Sequence, residues 1–400
     1  MKKRFNLLTV VVLMLMAAGI TFVITWTQVT TSWQTAYTAA VSEGSSFSKL
    51  DEILAYLDYY FIDELDEEAL LDSAADGLIE GTGDRWSYYI SASEYDSYVE
   101  QMNNAYVGIG VTIQWNEDEN GYEIMSVTAG GPAEESGVQT GDILVAVEGQ
   151  STADLDLTRT KELVRGEEGT QVQLTFRRDG ETFDLSVTRS SIDTVVVSWE
   201  LLDSGTGLIT IENFDSKCAD ETIAAIEALI ELGAESIIFD VRNNPGGMKS
   251  ELVELLDYLL PEGVLFRSVN YQGVESIDTS DESYLDMPMA VLINDNSYSA
   301  AEFFAAALQE YDAAVIVGTQ TSGKGHYQNT FQLSDGSAIA ISTGEYCTPN
   351  GVSLEGVGVT PDIEITLTDE DYYALYYDNL DRAEDEQLQA AIAALAEQAG

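Results

Sequence analysis

The stretch from residue 290 to residue 318 reads AVLINDNSYSAAEFFAAALQEYDAAVIVG and contains one complete strand–helix–strand unit. Apolar runs at 290–294 and 314–318 predict buried strands, and the segment 300–310 between them predicts a helix. The same alternation is present upstream, in strands at 208–211 and 237–241 and helices at 219–232 and 250–260. It favours crossover connections, and therefore an α/β domain over residues 191–370 with a mostly parallel sheet and flanking helices.

Two serines, Ser297 and Ser299, stand where the first strand of this unit gives way to the helix. A hydroxyl at such a junction is lifted out of the sheet, beside free amides and the positive end of the helix dipole. An oxyanion formed there would be stabilised. The segment also fits a purely structural role, because Ser299-x-x-Glu302 spells a capping box. Taken alone, the pattern favours a helix cap over a nucleophile.

Lys324 lies between Gly323 and Gly325, directly after a strand that looks buried. Flanking glycines let other backbone come close, so we expect its ammonium group to be partly buried. Burial disfavours the charged form and lowers a lysine pKa, which makes the amine a base near neutral pH. Lys324 is therefore the candidate general base.

Gln328 and His326 would share a face with Lys324 if the following segment is extended, since the side-chain period of a strand is two. The Gln328 amide could then orient the lysine amine. His326 is the only histidine and the rival base. A histidine base normally needs an acidic orienter, and no carboxylate is evident at a suitable spacing, so we prefer Lys324.

A third segment, DVRNNPGG at 240–247, joins a strand to a helix. Its glycines, Gly246 and Gly247, could point amides at a developing negative charge. An ordinary glycine-rich turn is the alternative. A phosphate-binding loop is excluded because no Gly-Lys-Ser/Thr follows.

Upstream of the α/β domain, residues 104–190 read as short alternating strands with one helix. Within them, GGPAEESGVQTGDILVAVEG at 130–149 resembles the core of a PDZ domain. Residues 45–103 follow a helical pattern and predict a small N-terminal helical segment. The alanine-rich, acidic residues 371–400 predict an exposed helix or a frayed tail.

The N-terminus predicts export. Residues 7–26 are apolar and long enough to cross a bilayer, and basic residues at 2–4 should stay cytoplasmic. We prefer an uncleaved signal anchor over residues 1–30 to a removed signal peptide, because no clear cleavage site ends the run. The remainder would be extracytoplasmic, in a single-pass protein of the cell membrane.

Composition narrows the possible partners. The chain has 70 acidic and 17 basic residues, a formal net charge of −53, which would repel nucleic acid and anionic lipid. A solubilising surface is the simplest interpretation, and binding of basic partners or calcium is the alternative.

A single histidine excludes a multi-histidine metal site, so no metal or cofactor is expected. Cys218 and Cys347 are predicted to be separate thiols, although a disulfide is possible.

Together these segments resemble the carboxyl-terminal processing peptidases, or tail-specific proteases, over about residues 47–368. Five signatures follow that family's order: YVGIGV at 106–111, DVRNNPGG at 240–247, SYSAAE at 297–302, GKGHYQ at 323–328 and GVGVTPD at 356–362. The resemblance implies that Ser299 is the nucleophile, Lys324 the general base and Gln328 the residue that positions the lysine. It departs at His326 and Tyr298, where the family commonly has smaller residues.

The resemblance also implies how substrates are held. An oxyanion hole would use the amide of Ala300 with that of either Gly246 or Gly247. The PDZ module would bind the apolar C-terminal end of a polypeptide, with its carboxylate on the amides of the turn formed by Val107, Gly108, Ile109 and Gly110. A homo-oligomer is possible. We therefore expect a membrane-anchored serine endopeptidase, and the alternative is an inactive, membrane-tethered PDZ scaffold for exported protein tails.

Overall fold

The computed structural model describes residues 48–377 and 380–398, and the chain divides at Ala74 into two compact units. The first unit contains α1 (Ser48–Tyr60) and the beginning of α2 (Glu67–Glu80), as the helical pattern predicts. The predicted membrane-spanning segment at 1–30 lies outside the described residues. Within the described ranges, no helix combines the length and the apolar character that a bilayer crossing requires.

The second unit begins with β1 (Tyr88–Ile90) and α3 (Ala92–Met102), which lie ahead of the PDZ-like region. The chain then enters that region through β2 (Ala105–Gly108), which pairs with β9 (Ser190–Asp193) where the chain leaves it. This two-stranded ladder closes the base of the module. The predicted limits of this module are 104 and 190, and the entry and exit strands begin at Ala105 and Ser190.

The PDZ-like module has its own sheet and core. Its elements are β3 (Val111–Asn116), β4 (Gly121–Val127), α4 (Pro132–Glu135), β5 (Ile143–Val147), β6 (Gln150–Ser151), a 3₁₀ turn (Thr152–Asp154), α5 (Leu157–Val164), β7 (Gln171–Arg178) and β8 (Glu181–Thr188). Apolar side chains at alternate strand positions, among them Ile124, Leu144 and Phe176, form a separate buried cluster. Strand β3 stands at the edge of the sheet.

The α/β domain is built on a six-stranded sheet in which every neighbouring pair except the first is parallel. The strands in spatial order are β10 (Val197–Leu201), β11 (Thr206–Ile211), β12 (Ser236–Asp240), β15 (Met289–Ile293), β16 (Ala314–Gly318) and β19 (Ile363–Glu364). The crossover helices are α6 (Cys218–Glu231), α7 (Lys249–Leu259) and α8 (Ala300–Glu310). The alternation in the sequence therefore predicts this sheet correctly.

Alternate residues of the central strands face two different cores. Phe239 and Val291 pack with α6, α7 and α8, whereas Ile238 and Leu292 face the opposite side. That opposite side is covered by α10 (Glu386–Gln398), which buries Leu388, Ala391 and Leu395. The prediction of an exposed or frayed tail over 371–400 is wrong for this helix, because its apolar stripe completes the sheet. It is preceded by α9 (Asp369–Tyr376).

A buried ion network fastens α10 to the loop that follows β12. The Arg242 guanidinium lies 2.6 Å from the Asp240 carboxylate and 2.8 Å from the Asp385 carboxylate, and all three side chains are almost fully buried. It also donates to Gln387 at 3.0 Å. Buried charges require this kind of mutual pairing. The C-terminal helix therefore supports the start of the Gly246–Gly247 loop.

A second, antiparallel sheet was not predicted from the sequence. Its strands are β1, β13 (Val264–Asn270), β14 (Glu275–Thr279), β17 (His326–Gln332) and β18 (Ala338–Cys347). The long strand β18 pairs with β1, β13 and β17, so it joins segments that are far apart in the chain. The sequence analysis assigned residues 88–90 to the N-terminal helical segment. They form β1 instead, which belongs to the same antiparallel sheet as β17, the strand that follows Lys324.

Candidate active site

The residues predicted for the catalytic centre meet at one cavity of about 1030 Å³. All six line it: Ser299, Lys324, Gln328, Gly246, Gly247 and Ala300. The walls also include Trp86 from the segment before β1 and Tyr346 from β18. The four PDZ residues Val107, Gly108, Ile109 and Gly110 are not among its lining residues. A cleft of this volume is large enough to hold several residues of an extended peptide.

Ser299 occupies the turn from β15 into α8. Its φ of 59° and ψ of −123° are sparsely populated for a residue with a side chain and cost about 1–3 kcal/mol. Its amide donates to Glu302 Oε2 at 3.0 Å, so the capping box is present at this turn. Ser297 is fully buried and donates to the Val241 carbonyl at 2.7 Å. Ser297 thus supports the scaffold, whereas Ser299 is a strained residue on the cavity wall.

The Gly246–Gly247 loop packs directly against this turn. Both glycines have positive φ, and a Cβ on Gly246 would come within 2.7 Å of the Ala300 nitrogen. The Gly246 amide donates to Asn244 Oδ1 at 2.8 Å. In the part of the chain that the structure describes, the amides of Gly247 and Ala300 have no hydrogen-bond partner. Of the two glycines, Gly247 therefore has the amide that is still available to an oxyanion.

Lys324 precedes β17 and is mostly enclosed. Burial lowers its pKa to about 8, against the opposing effect of the carboxylates of Asp84, Glu302 and Glu355. Its Nζ lies 4.9 Å from the centre of the Trp86 ring. No hydrogen bond joins Nζ to Ser299 Oγ among the described residues.

The sequence predicts that Gln328 and His326 share a face with Lys324; Lys324 and Gln328 line the cavity, and His326 does not. The pairing of β17 with β18 has a bulge at this point: Tyr327 pairs with Gly344 and Gln328 with Ser342, so the extra residue is on β18. Gln328 lines the cavity, and its amide nitrogen donates to the His326 carbonyl at 3.1 Å and to Ser342 Oγ at 2.9 Å. Its amide oxygen is left as an acceptor.

His326 does have acidic partners, contrary to the expectation from sequence. Its Nδ1 lies 2.9 Å from Glu355 Oε2, and its Nε2 lies 3.7 Å from Glu345 Oε1. These partners come from β18 and from the loop beyond it, so sequence spacing could not reveal them. The imidazole is absent from the described cavity lining, and the rival base therefore lies away from Ser299.

Glu302 joins the turn at Ser299 to the loop at Lys324. Its buried carboxylate accepts hydrogen bonds from the amides of Ser299, Gly323 and Lys324 and from the Thr321 hydroxyl, at 2.8 to 3.0 Å. Burial raises the pKa of this carboxyl group, and the four donors oppose the rise. The sequence reveals only the bond to Ser299. An acidic residue inside the apolar run AAEFFAAAL was the available signal for the wider role.

Tyr346 and Trp86 also belong to the site, and the sequence analysis missed both. The buried Tyr346 hydroxyl donates to the Lys324 carbonyl. Burial raises the Tyr346 pKa, and a hydrogen bond with Ser299 acts in the opposite direction. Trp86 stacks on Tyr298 with ring centres 5.8 Å apart. Nothing local in the sequence marks either residue, because both reach the site through the antiparallel sheet.

In the PDZ-like module, the four residues predicted to hold a carboxylate differ in whether their backbone amides already donate a hydrogen bond. The Val107 amide donates to Glu100 Oε1 at 3.0 Å, and Gly108 lies within β2. The amides of Ile109 and Gly110 lack a partner among the described residues, and Gly110 has a φ of 75°. Successive free amides in such a turn form an anion-binding concavity.

Residues 48–377 and 380–398 hold no group of three or more His, Cys, Asp or Glu side chains arranged to bind a metal. Cys218 and Cys347 are separate thiols, and burial raises the Cys218 pKa to about 12. An uncharged buried thiol of this kind is inert.

Comparison with known proteins places this geometry in a family. A model of peptidase family S41 matches residues 205–365, and a PDZ-domain model matches residues 123–178. The carboxy-terminal processing protease CtpA of Bacillus subtilis (strain 168) is 29% identical over 386 residues, which are 96% of this chain and 81% of that protein. A probable CtpA-like serine protease of Staphylococcus epidermidis (strain ATCC 12228 / FDA PCI 1200) is 30% identical over 326 residues.

The staphylococcal match covers 80% of this chain and 66% of that protein, so this chain spans about two thirds of the relative's length. Among solved structures, the photosystem II D1 C-terminal processing protease is 26% identical, with a TM-score of 0.46 over 81% of this chain and 87% of that one. The family resemblance inferred from the five signatures is confirmed. The chain belongs to peptidase family S41 and is a serine-type peptidase of the carboxyl-terminal processing kind, with a PDZ domain.

Proposed function

We propose that this peptidase cleaves polypeptides through an acyl-enzyme on Ser299, with Lys324 as the general base. One observation carries the proposal: Ser299 and a lysine whose pKa is lowered to about 8 line the same cavity. The neutral amine accepts the hydroxyl proton as the oxygen attacks the scissile carbonyl. The resulting ammonium then donates a proton to the leaving amine, and water hydrolyses the ester in a second round.

The amides of Gly247 and Ala300 would stabilise the oxyanion of each tetrahedral intermediate. The unused Ala300 amide stands at the positive end of the α8 dipole, directly after the nucleophile. Gly247 is favoured over Gly246 because the Gly246 amide is engaged by Asn244. The free oxygen of Gln328 would accept a hydrogen bond from the Lys324 ammonium and so hold the amine in position.

The PDZ domain would select substrates by their C-terminal ends. The unpartnered amides of Ile109 and Gly110 suit a terminal carboxylate, and the edge strand β3 offers free backbone groups to an added strand. We propose polypeptides with apolar C-termini as the substrate class. Comparing the cleavage of one test protein with an apolar or an acidic C-terminal tripeptide would test this, since equal rates would contradict tail selection.

We also propose that the enzyme is anchored in the cell membrane by residues 1–30 with its catalytic part outside the cytoplasm. The apolar run at 7–26, preceded by basic residues, supports this orientation. Protease added to intact spheroplasts should degrade the catalytic domain. Protection until lysis, or recovery of the protein in the soluble fraction, would refute the topology.

The central test is mutagenesis of the two proposed catalytic groups. Ser299→Ala and Lys324→Ala should each abolish cleavage of an unfolded protein substrate while the circular-dichroism spectrum stays native. His326→Ala is the matched control, because that side chain pairs with Glu355 away from the cavity and its loss should leave cleavage intact. Full activity of Lys324→Ala would overturn the mechanism.

A fluorophosphonate probe gives an independent measurement. It should label the wild type and the His326 variant, and it should fail to label Ser299→Ala. If the wild type stays unlabelled and inactive both with and without a tail peptide, the scaffold alternative replaces the peptidase mechanism.

A further inference from the structure

Asp215 is a buried carboxylic acid in the wall of the substrate cavity that the proposed mechanism does not use. It is 6% exposed, and it is the only acidic residue among the described residues that line the cavity. It follows Phe214, whose backbone bridges to Gly247. A Cβ added to Gly247 would lie 2.7 Å from the Asp215 nitrogen, so the backbone of this acid is adjacent to Gly247, one of the two proposed oxyanion donors.

The Asp215 carboxylate has one oxygen that the described residues leave without a hydrogen bond. Its Oδ1 is buried and accepts no hydrogen bond from any described residue. The three cationic residues of the cavity wall are engaged elsewhere: Lys249 pairs with Asp278, Arg85 donates to the Ser322 carbonyl, and Lys324 lies against Trp86. A buried acceptor without a donor destabilises the free protein, and such groups require an explanation.

We propose that Asp215 is a specificity residue that binds a lysine or arginine side chain of the substrate beside the scissile bond. A cationic group supplies the donor that Oδ1 lacks. It also neutralises a negative charge that would otherwise oppose oxyanion formation near Gly247. The inference rests on the proposed function, because it assigns a subsite to the cavity that contains Ser299.

Electrostatics in the surrounding elements support the assignment. Burial, and next the charge of Glu251 at the start of α7, raise the Asp215 pKa to about 7. Two further groups face it, Tyr88 from β1 and Cys218 from α6, and the pKa of each is also raised. Among the described residues, no cation offsets these effects on Asp215, and a cationic ligand would supply the missing charge. The net charge of −53 attracts basic polypeptides at longer range.

The first experiment is a cleavage-site profile of a degenerate peptide library with the full-length enzyme, read by mass spectrometry at pH 8.5. The wild type should enrich lysine and arginine at one position next to the cleaved bond, and Asp215→Asn should lose that enrichment. Asp220→Asn removes an equal charge from an exposed position on α6 and is the matched control. It should keep the wild-type profile.

The second experiment uses a pair of peptides with lysine or leucine at the selected position. Their kcat/KM ratio should favour lysine on the order of 10-fold at pH 8.5 and fall about 10-fold in Asp215→Asn, as expected for loss of one buried charge-assisted contact. In the wild type the ratio should shrink at pH 6, where Asp215 is protonated and lysine keeps its charge. Because both peptides use the same catalytic base, titration of Lys324 cancels from the ratio.

Failure of the inference is distinguishable from failure of the proposed function. Residual cleavage by Ser299→Ala would refute the function whatever the selectivity. An inactive Ser299→Ala together with identical library profiles for wild type and Asp215→Asn would refute only the subsite. Binding of the lysine peptide to Ser299→Ala, measured by fluorescence anisotropy, should weaken about 10-fold when Asp215→Asn is added. Equal affinity, or a preference for serine or threonine over lysine, would overturn the cation assignment.

Discussion

The surroundings of Glu302 and of Asp215 form two contrasting regions of the site. Both residues are buried acids close to the catalytic groups, and burial raises the pKa of each. Glu302 accepts hydrogen bonds from four groups of the protein itself. Asp215 has an oxygen that accepts none from the described residues.

The contrast separates a role in folding from a role in ligand binding. A buried carboxylate whose acceptors are all filled holds its donors in place, and here those donors belong to the turn at Ser299 and the loop at Lys324. A buried carboxylate at a cavity wall that accepts no hydrogen bond destabilises the free protein, and it contributes stability only when a ligand supplies the donor. Each prediction below therefore tests whether hydrogen-bond satisfaction distinguishes the two roles.

The largest effect is expected from Glu302→Ala. The change leaves four buried or partly buried donors unpaired, and we expect a loss of about 3–5 kcal/mol in the free energy of unfolding, with at least a 100-fold loss of kcat. Urea denaturation and single-turnover cleavage would measure the two quantities. Glu227→Ala, at an exposed site on α6, should change neither. A Glu302 variant with native stability would contradict the positioning role.

The next largest effect concerns pH. The Lys324 amine must be neutral to act as a base, and its pKa is about 8, so kcat/KM should rise about tenfold per pH unit below 8 and level off above it. The Asp84 carboxylate is the foremost charge that raises this pKa. Asp84→Asn should therefore move the midpoint to lower pH, while His326→Ala should leave it in place. A wild-type profile without an ionisation near 8 would count against the lysine base.

A smaller effect is predicted for the stability of Asp215→Asn. The folded-state pKa of Asp215, about 7, lies above its unfolded value of 3.8, so ionisation penalises the folded state increasingly as pH rises between those values. The variant should be more stable than wild type by roughly 1–3 kcal/mol at pH 8.5, and the gain should diminish at pH 5.5. Urea midpoints at the two pH values would show it. A destabilised variant at pH 8.5 would mean that Asp215 has an internal structural role.

The sequence predicts the parallel sheet well and the antiparallel sheet not at all. The helix over 300–310 is predicted to the residue, because two uniformly apolar runs bound one apolar helix with short turns between them. The pairing of β1 with β18 depends on contacts between distant segments and leaves no local period. The covered face of α10 was missed for a related reason, since an alanine-rich acidic stretch reads as solvated when its partner sheet is unknown.

The candidate site follows the same division. Ser299 and Lys324 are predicted from their positions beside strands and glycines, and the structure brings both to one cavity. The parity argument puts Lys324, His326 and Gln328 on one face, and of these three residues Lys324 and Gln328 line the cavity. The acidic partner of His326 and the open oxygen of Asp215 are properties of the assembled fold, so no sequence pattern could reveal them.

The smallest predicted effect extends the comparison of paired and unpaired polar groups to the PDZ domain. The Val107 amide donates a hydrogen bond to Glu100, whereas the amides of Ile109 and Gly110 have no partner among the described residues. Only the latter two amides should therefore contact a terminal carboxylate. Amidating the C-terminus of a peptide substrate removes that charge, and we expect kcat/KM to fall several-fold, on the order of one charge-assisted hydrogen bond. Glu100→Gln keeps the acceptor for Val107 and should retain the discrimination between acid and amide. Equal cleavage of both peptides by the wild type would show that unfilled amides in this turn do not mark a ligand site.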